Sequence, residues 1–513
     1  MKNDNQQRLP NLFEALLPIV TMIGLMVYVF VFAKEDGETI YDAAHLPLIC
    51  GIIVAVLIGL RTGRSFRQML DGMVERITAT LDAILILLTV GLLVSSFMIS
   101  GTIPALIYYG LDLLSPKLFL PVGCIITALV GLACGSSWTA TATIGIAFMT
   151  IGQGLGISPA ITAGMVISGA YIGDKFSPLS DTTNLAAGVA KTGLFDHVSA
   201  MISTTGPVFI ISLILYTIIG LRANVVNYDP NIAEGIKMAL VENFNLNPLV
   251  LLPIVIIILV CVLRIEGLAG VMVSVFVGII FSLIFQEKRS LAEIFAILHY
   301  GPDLVTGNDF VDKALAKGGM DNQMWTINLI LLAVAFGGAL EKAAVIERLF
   351  DRLKEKINSV GSLVLTTMAT SIFCDATMCD QFLGIGIPAP LYEDKYDEMG
   401  LARNMLSRTL EDAGTLWAVM FPWTACGAYQ MRTLGVSPLA FFPFAFVNLL
   451  SPIFALITAY FKRNIFWADG SYTNVFGKTK MKKMAKAPEK SRAYALSQLE
   501  KLREEKKAPI LSQ

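Results

Sequence analysis

The stretch GDKFSPLSDTTNLA (173–186) crowds two aspartates, a lysine, two serines, two threonines and an asparagine around one proline. Its surroundings are of another kind: AGMVISGAYI (163–172) runs into it and VFIISLILYTIIG (208–220) follows soon after. Pro178 removes a helix donor and Gly173 loosens the turn before it. Polar, non-helical backbone between apolar runs is tolerated in a bilayer only where protein or a water-filled cavity surrounds it. The stretch therefore reads as a broken membrane helix with a functional interior.

The rest of the chain agrees. Of 513 residues, 55% are hydrophobic and 15% charged, too apolar for an ordinary soluble protein. Apolar blocks at 12–32, 46–60, 84–99, 118–134, 208–221, 249–262, 268–285, 327–340 and 441–461, with less clean segments between them, predict roughly ten to twelve membrane helices. The first block is too long for a signal sequence and lacks a cleavage site behind it, so it reads as a retained helix. The loop KEDGETIYD (34–42) is mostly acidic, RTGRSFRQMLDGMVER (61–76) is arginine-rich, and the chain after 461 is lysine-rich. The positive-inside rule then places the N-terminus, the arginine loop and the tail in the cytoplasm. A net charge of −1 gives no sign of a nucleic-acid partner. Seven cysteines lie mostly in or beside apolar runs, and three histidines form no metal-binding pattern, which argues against a metalloenzyme.

The same order of features occurs twice. RTGRSFRQMLDGM (61–73) resembles QEKRSLAEIFAIL (286–298), and the apolar segment 84–111 resembles 327–353. ACGSSWTATATIG (133–145) is answered by FCDATMCDQFLGIGIP (373–388), and SGAYIGDKFSPLSDTTNLAAG (168–188) by SRTLEDAGTLWAVMFPWTACG (407–427). The chain divides into a cytoplasmic N-terminus (1–11), a first repeat (12–221), a polar link (222–247), a second repeat (248–461) and a charged tail (462–513), helical or disordered. An odd number of spans per repeat inverts the two in the membrane, with the substrate at their interface. The expected fold class is thus an all-α polytopic membrane protein of two inverted-topology repeats with broken helices. AVIERLFDRLKEKINSV (344–360) gathers Val345, Ile346, Leu349, Phe350, Leu353 and Ile357 on one face, the pattern of an interfacial amphipathic helix.

The four polar breaks supply the candidate site. The first stretch offers Asp174, Ser177, Asp181, Thr182, Thr183 and Asn184, an oxygen-rich set of the kind hard cations prefer. Its partner break offers Ser136 and Thr139, with helix N-termini that favour a carboxylate. The second half contributes Asp375, Asp380, Gln381, Glu411, Asp412, Thr415 and Thr424. Plainer roles compete. A serine or threonine back-bonds to its own helix, Asp174 and Lys175 end a helix as a loop pair, and Glu411 pairs with Arg408 at i,i+3. The constellation, four breaks at corresponding places in a chain with few other intramembrane charges, favours the site.

ISGAYIGDKFSPLSDTTNLA (167–186), GSSWTATATIGIAFMTIGQGLG (135–156), CDATMCDQ (374–381) and LSRTLEDAGTLWAVMFPWTACGAY (406–429) together resemble the signature regions of the NhaC family of Na⁺/H⁺ antiporters. The resemblance is collinear over nearly the whole chain apart from the tail. It implies a homodimer in the inner membrane, a scaffold and a transport part with re-entrant hairpins, and Na⁺ and H⁺ as transported ions with no cofactor. One position departs: Thr424 stands where the family often has an asparagine after Pro-Trp. Buried carboxyls keep a proton until a cation displaces it, so Na⁺ and H⁺ competing for shared carboxylates give antiport. Asp181 and Asp380, with hydroxyls or an amide beside them, are the favoured ligands, and Asp174 and Glu411 hold the breaks through Lys175 and Arg408. The alternative is a Na⁺-coupled organic acid exchanger of the malate/lactate type, its carboxylate held near Ser136 and Thr139.

Overall fold

A computed structural model describes residues 7–35, 38–39, 41–222, 230–263, 265, 267–350 and 357–481. Helices dominate, and many carry large apolar side chains on their outward faces as well as in the core. The Gly267–Phe285 helix exposes Phe276 and Ile284 at 66% each while it buries Ser274 and Ser282, as expected where the surrounding medium is hydrocarbon. Seven described helices are long and apolar enough to cross a membrane alone, and two bent pairs raise the number to nine: Pro230–Asn243 with Pro248–Val260, bent by 100°, and Pro438–Phe444 with Phe446–Tyr460, bent by 59°. The ten to twelve expected from apolar blocks are not reached. His45–Arg61 and Leu291–Tyr300 are shorter, and the polar breaks cut other runs into pieces such as Asp181–Val189, Gln381–Gly386 and Arg403–Leu410.

Helix boundaries recur through the two halves at one constant spacing. Pro116–Cys134 ends in left-handed Gly135 (φ 62°), and Val360–Met378 ends in left-handed Cys379 (φ 60°). The next residue caps the following helix in both: the Ser136 hydroxyl accepts from Thr139 N, and the Asp380 carboxylate from Phe382 N and Leu383 N. Pro159–Phe176 and Arg403–Leu410 start in step. Ser180 caps Asp181–Val189 as Thr424 caps Ala425–Leu434. Leu194–Arg222 then corresponds to the bent pair that begins at Pro438. Ser136 thus answers Asp380, and Ser180 answers Thr424, a register the motif similarity alone leaves undefined.

Three expectations change. The 344–360 segment was expected to lie on the lipid interface. Its helix Val345–Phe350 instead buries Val345, Ile346 and Phe350 in a cluster with Met22, Met26 and Phe336, because the Leu12–Val27 helix covers that face; Ile357 is buried in another cluster, with Tyr392 and Tyr396, and Leu353 lies outside the described residues. Second, much of the 222–247 link is the helix Pro230–Asn243, with Ile236 and Leu240 buried. Third, the chain after the last span is neither helical nor loose through Met481. Ile465–Phe466, Ser471–Thr473 and Thr479–Met481 form an antiparallel three-stranded sheet, turned by Asp469-Gly470, where the Asp469 carboxylate accepts from Ser471 N at 2.8 Å. The tail beyond it lies outside the described residues.

The halves are also tied by a charged network. Lys191 Nζ reaches Glu393 at 2.6 Å, and Arg403 bridges Glu393 and Asp397 at 2.5 Å each.

Candidate functional site

The Pro159–Phe176 helix ends where Ser177 N bonds the Asp174 carbonyl, and Pro178 prevents its continuation. Asp174 and Lys175 occupy its last turn, both buried. Neighbours on a helix point about 100° apart, so the two do not pair with each other. Asp174 Oδ2 accepts from Ser137 N at 3.1 Å, tying the stretch to the partner break, while Oδ1 is buried without a hydrogen bond. Lys175 Nζ bonds the Asp412 carboxylate in the other half, and both side chains are fully buried.

In the second half, Arg403–Leu410 continues into a wide turn, Glu411–Thr415, wound with i→i+5 bonds. Such turns rotate side chains off the regular helical stripe and are frequent at functional sites. Asp412 carries the densest set of partners: besides Lys175, Thr204 Oγ1 donates to it at 3.0 Å and Thr205 Oγ1 at 3.2 Å. Glu411 is fully buried and neither of its carboxylate oxygens is hydrogen-bonded. It faces Lys175, Asp174 and the hydroxyls of Thr182 and Thr415, the last also without a partner. The expected Glu411–Arg408 pairing does not form, because the Arg408 guanidinium turns to the Asn464 carbonyl at 2.9 Å.

The two corresponding helix breaks differ in charge. Ser136 and Thr139 share a hydroxyl contact at 3.2 Å, and Trp138 stacks on Tyr429 with ring centroids 4.6 Å apart. At the corresponding place in the second half, Asp380 is occupied by its capping bonds, at 2.8 Å to Phe382 N and 3.1 Å to Leu383 N. Asp375, one turn back, is fully buried with both oxygens unpartnered, and the Gln381 carbonyl oxygen is likewise orphaned. Gly384 makes room for Asp375: a Cβ there would lie 1.9 Å from its Oδ1.

The remaining sequence candidates have local duties. Thr183 donates to the Lys175 carbonyl, Asn184 to the carbonyls of Pro178 and Ser180, and Thr182 touches Ser180. The Ser177 hydroxyl accepts from Leu179 N. Thr424 bonds the Ala418 and Phe421 carbonyls and caps Gly427 N. Asp181 and Asn184 are exposed, Asp181 at the open first turn of its helix. Sequence reasoning missed Thr204 and Thr205, although the pair sits in STTGP (203–207), a polar knot within that helix. It also missed His197, buried with Nδ1 2.8 Å from the Ser407 hydroxyl. Lys175, expected as the partner of Asp174, pairs with Asp412 instead.

Comparison with known proteins adds the following. The sequence model of the Na⁺/H⁺ antiporter family matches residues 169–463, and that of the C4-dicarboxylate anaerobic carrier matches residues 1–221. The Na(+)/H(+) antiporter NhaC of Alkalihalophilus pseudofirmus is 35% identical, over 87% of this chain and 95% of that protein. The arginine/ornithine antiporter ArcD of Halobacterium salinarum is 36% identical, over 88% and 93%. The malate-2H(+)/Na(+)-lactate antiporter of Bacillus subtilis is 32% identical, over 90% and 97%.

Proposed function

Because the chain belongs to the Na⁺/H⁺ antiporter family, and so is a membrane antiporter rather than an enzyme, we propose that it exchanges Na⁺ for H⁺ across a bacterial cell membrane. The observation that carries this reading is an excess of buried acid. Asp174, Asp375, Asp380, Glu411 and Asp412 are at least nine-tenths buried, against Lys175 and Arg408 as the buried cations among them. Lys175 is committed to Asp412, and Arg408 to a carbonyl. Orphaned carboxylate oxygens on Glu411 and Asp375 call for either a proton or a cation. Occupancy by one excludes the other, which is the coupling antiport requires. Hydroxyls of Thr182 and Thr415 around Glu411 are ligands suited to Na⁺. The same acid excess disfavours an organic anion.

The halves are read as inverted repeats. Leu194–Arg222 is 29 residues long, roughly 43 Å at 1.5 Å per residue, so its ends lie on opposite faces. Its C-terminal end meets the start of Pro116–Cys134 at Lys117, whereas the start of Val360–Met378 meets Tyr460, on the face where Asn464 contacts Ser203. This supports hairpins that enter from opposite sides. A cytoplasmic N-terminus and tail follow from the arginine loop, and a homodimer from the family resemblance.

The test uses purified protein in liposomes with an internal pH dye and an imposed pH gradient. NaCl alone collapses the gradient with the wild type and not with Glu411→Gln. No response to NaCl, with a response to malate plus lactate or to arginine, refutes the reading.

A further inference from the structure

Arg408 is the least explained charge in the protein. It is 1% exposed, its Nε and Nη2 have no hydrogen-bond partner, and among the described residues it forms no ion pair. Yet Asp412 lies four positions on, where intrahelical pairs normally form, and is among the charges that face it. Nη1 goes instead to the Asn464 main-chain carbonyl at 2.9 Å, with a longer contact to the Ser203 hydroxyl at 3.4 Å.

Asn464 is built to present that carbonyl. Its backbone is left-handed, with φ 55°, a conformation asparagine tolerates better than other side chains. Its side chain is held at both ends: Nδ2 donates to the Ser203 carbonyl at 2.9 Å, and Oδ1 accepts from the Tyr472 hydroxyl at 2.6 Å. Tyr472 belongs to the sheet, whose first strand and the turn after it also grip the chain just before Arg403–Leu410, through Ala402 N to the Phe466 carbonyl at 2.9 Å and Ala468 N to the Gly400 carbonyl at 3.0 Å. One small sheet therefore fixes both the start of the Arg408 helix and the acceptor for its guanidinium.

We propose that the sheet of residues 465–481 is a working part of the transporter: through the Asn464 carbonyl it holds Arg408 off Asp412, and so leaves that carboxylate to Lys175. Asn464 is a positioning residue. When its carbonyl moves, Arg408 falls back on Asp412 and frees Lys175 toward Glu411, which it faces, so that the ammonium competes with the cation there.

The inference rests on the antiport reading only for the identity of the ion, and its test separates the two. Exchange is measured in liposomes as a function of ion concentration for the wild type, Asn464→Ala and Asn464→Gly, normalised to folded protein by size exclusion. Glycine keeps the left-handed backbone and alanine does not, whereas both lose the side-chain bonds. The expected result is a half-saturating Na⁺ concentration raised about 5- to 30-fold in Asn464→Ala, which adds the strain of a left-handed alanine to the lost side-chain bonds, with maximal rate little changed, and raised less in Asn464→Gly, which loses the bonds alone. Curves that overlay the wild type, or a fall in maximal rate alone, overturn the proposal. If the wild type responds to an organic substrate and not to Na⁺, the antiport reading fails, and the same comparison is read with that substrate.

Discussion

Breaking the Lys175–Asp412 pair is the most quantitative test of the site. Removing one member of a buried ion pair costs about 3–5 kcal/mol because the other charge stays buried. The structure ranks the two halves of the cut. In Lys175→Met, Asp412 retains two hydroxyl donors, Thr204 and Thr205, and bonds to a charged group contribute about 1.5–3 kcal/mol each, so the loss falls near 3 kcal/mol. In Asp412→Leu, Lys175 Nζ keeps no hydrogen-bond partner among the described residues, and the loss lies near the upper end, about 5 kcal/mol. The double variant removes both charges, and an apolar replacement of a buried pair is often neutral, so it unfolds within about 1–2 kcal/mol of the wild type. Unfolding in mixed detergent micelles, followed by tryptophan fluorescence, reads all four proteins. All three variants lose exchange. A double variant whose loss equals the sum of the singles, or Lys175→Met costing more than Asp412→Leu, refutes the reasoning.

Other outcomes follow from named contacts. Gly384→Ala drives a Cβ onto the Asp375 carboxylate and lowers stability by about 1–3 kcal/mol with loss of exchange, whereas Gly386→Ala, which meets nothing within 4 Å, leaves both unchanged; the same unfolding and flux assays decide. Asp181→Asn, at an exposed position, changes stability by less than about 0.5 kcal/mol and abolishes exchange, and wild-type flux removes Asp181 from the site. Burial pushes the Glu393 carboxyl up, but Lys191 and Arg403 more than offset it, so it stands below its ordinary value. Such a group stabilises the fold above its unfolded pKa of about 4.3 and loses that contribution as the pH falls through the folded value. The melting-temperature gap between wild type and Glu393→Gln is therefore constant from about pH 6 to 8 and closes below about pH 4; a gap that widens in acid contradicts the bridge.

The sequence marked the buried polar residues of the candidate site better than it marked their contacts. Broken helices were legible because proline, glycine and clustered hydroxyls have no other reason to sit between apolar runs. Asp174, Glu411 and Asp412 were legible because charge in a bilayer is costly. Partners were not. Asp174 and Lys175 are adjacent in sequence and face different neighbours, and nothing local says that Lys175 crosses to Asp412. Arg408 resembled an i,i+3 partner for Glu411 until the wide turn and the Asn464 carbonyl redirected it. Asp181, favoured for its hydroxyl neighbours, is exposed, because those hydroxyls turn to backbone carbonyls and to one another. The terminal sheet was hidden by lysine-rich composition, which described the chain after Met481 better than the seventeen residues from Ile465 to Met481.

The contact between Lys175 and Asp412 spans 237 residues of chain. At about 5–20 residues per second, a ribosome delivers the aspartate some 10–50 s after the lysine. Through that interval the growing chain carries an ammonium group with no counter-charge of its own, in a segment already committed to the bilayer. The first half alone is therefore a poor guest in the membrane until the second half arrives. Degradation, rather than faulty flux, becomes the natural fate of a chain truncated before Asp412.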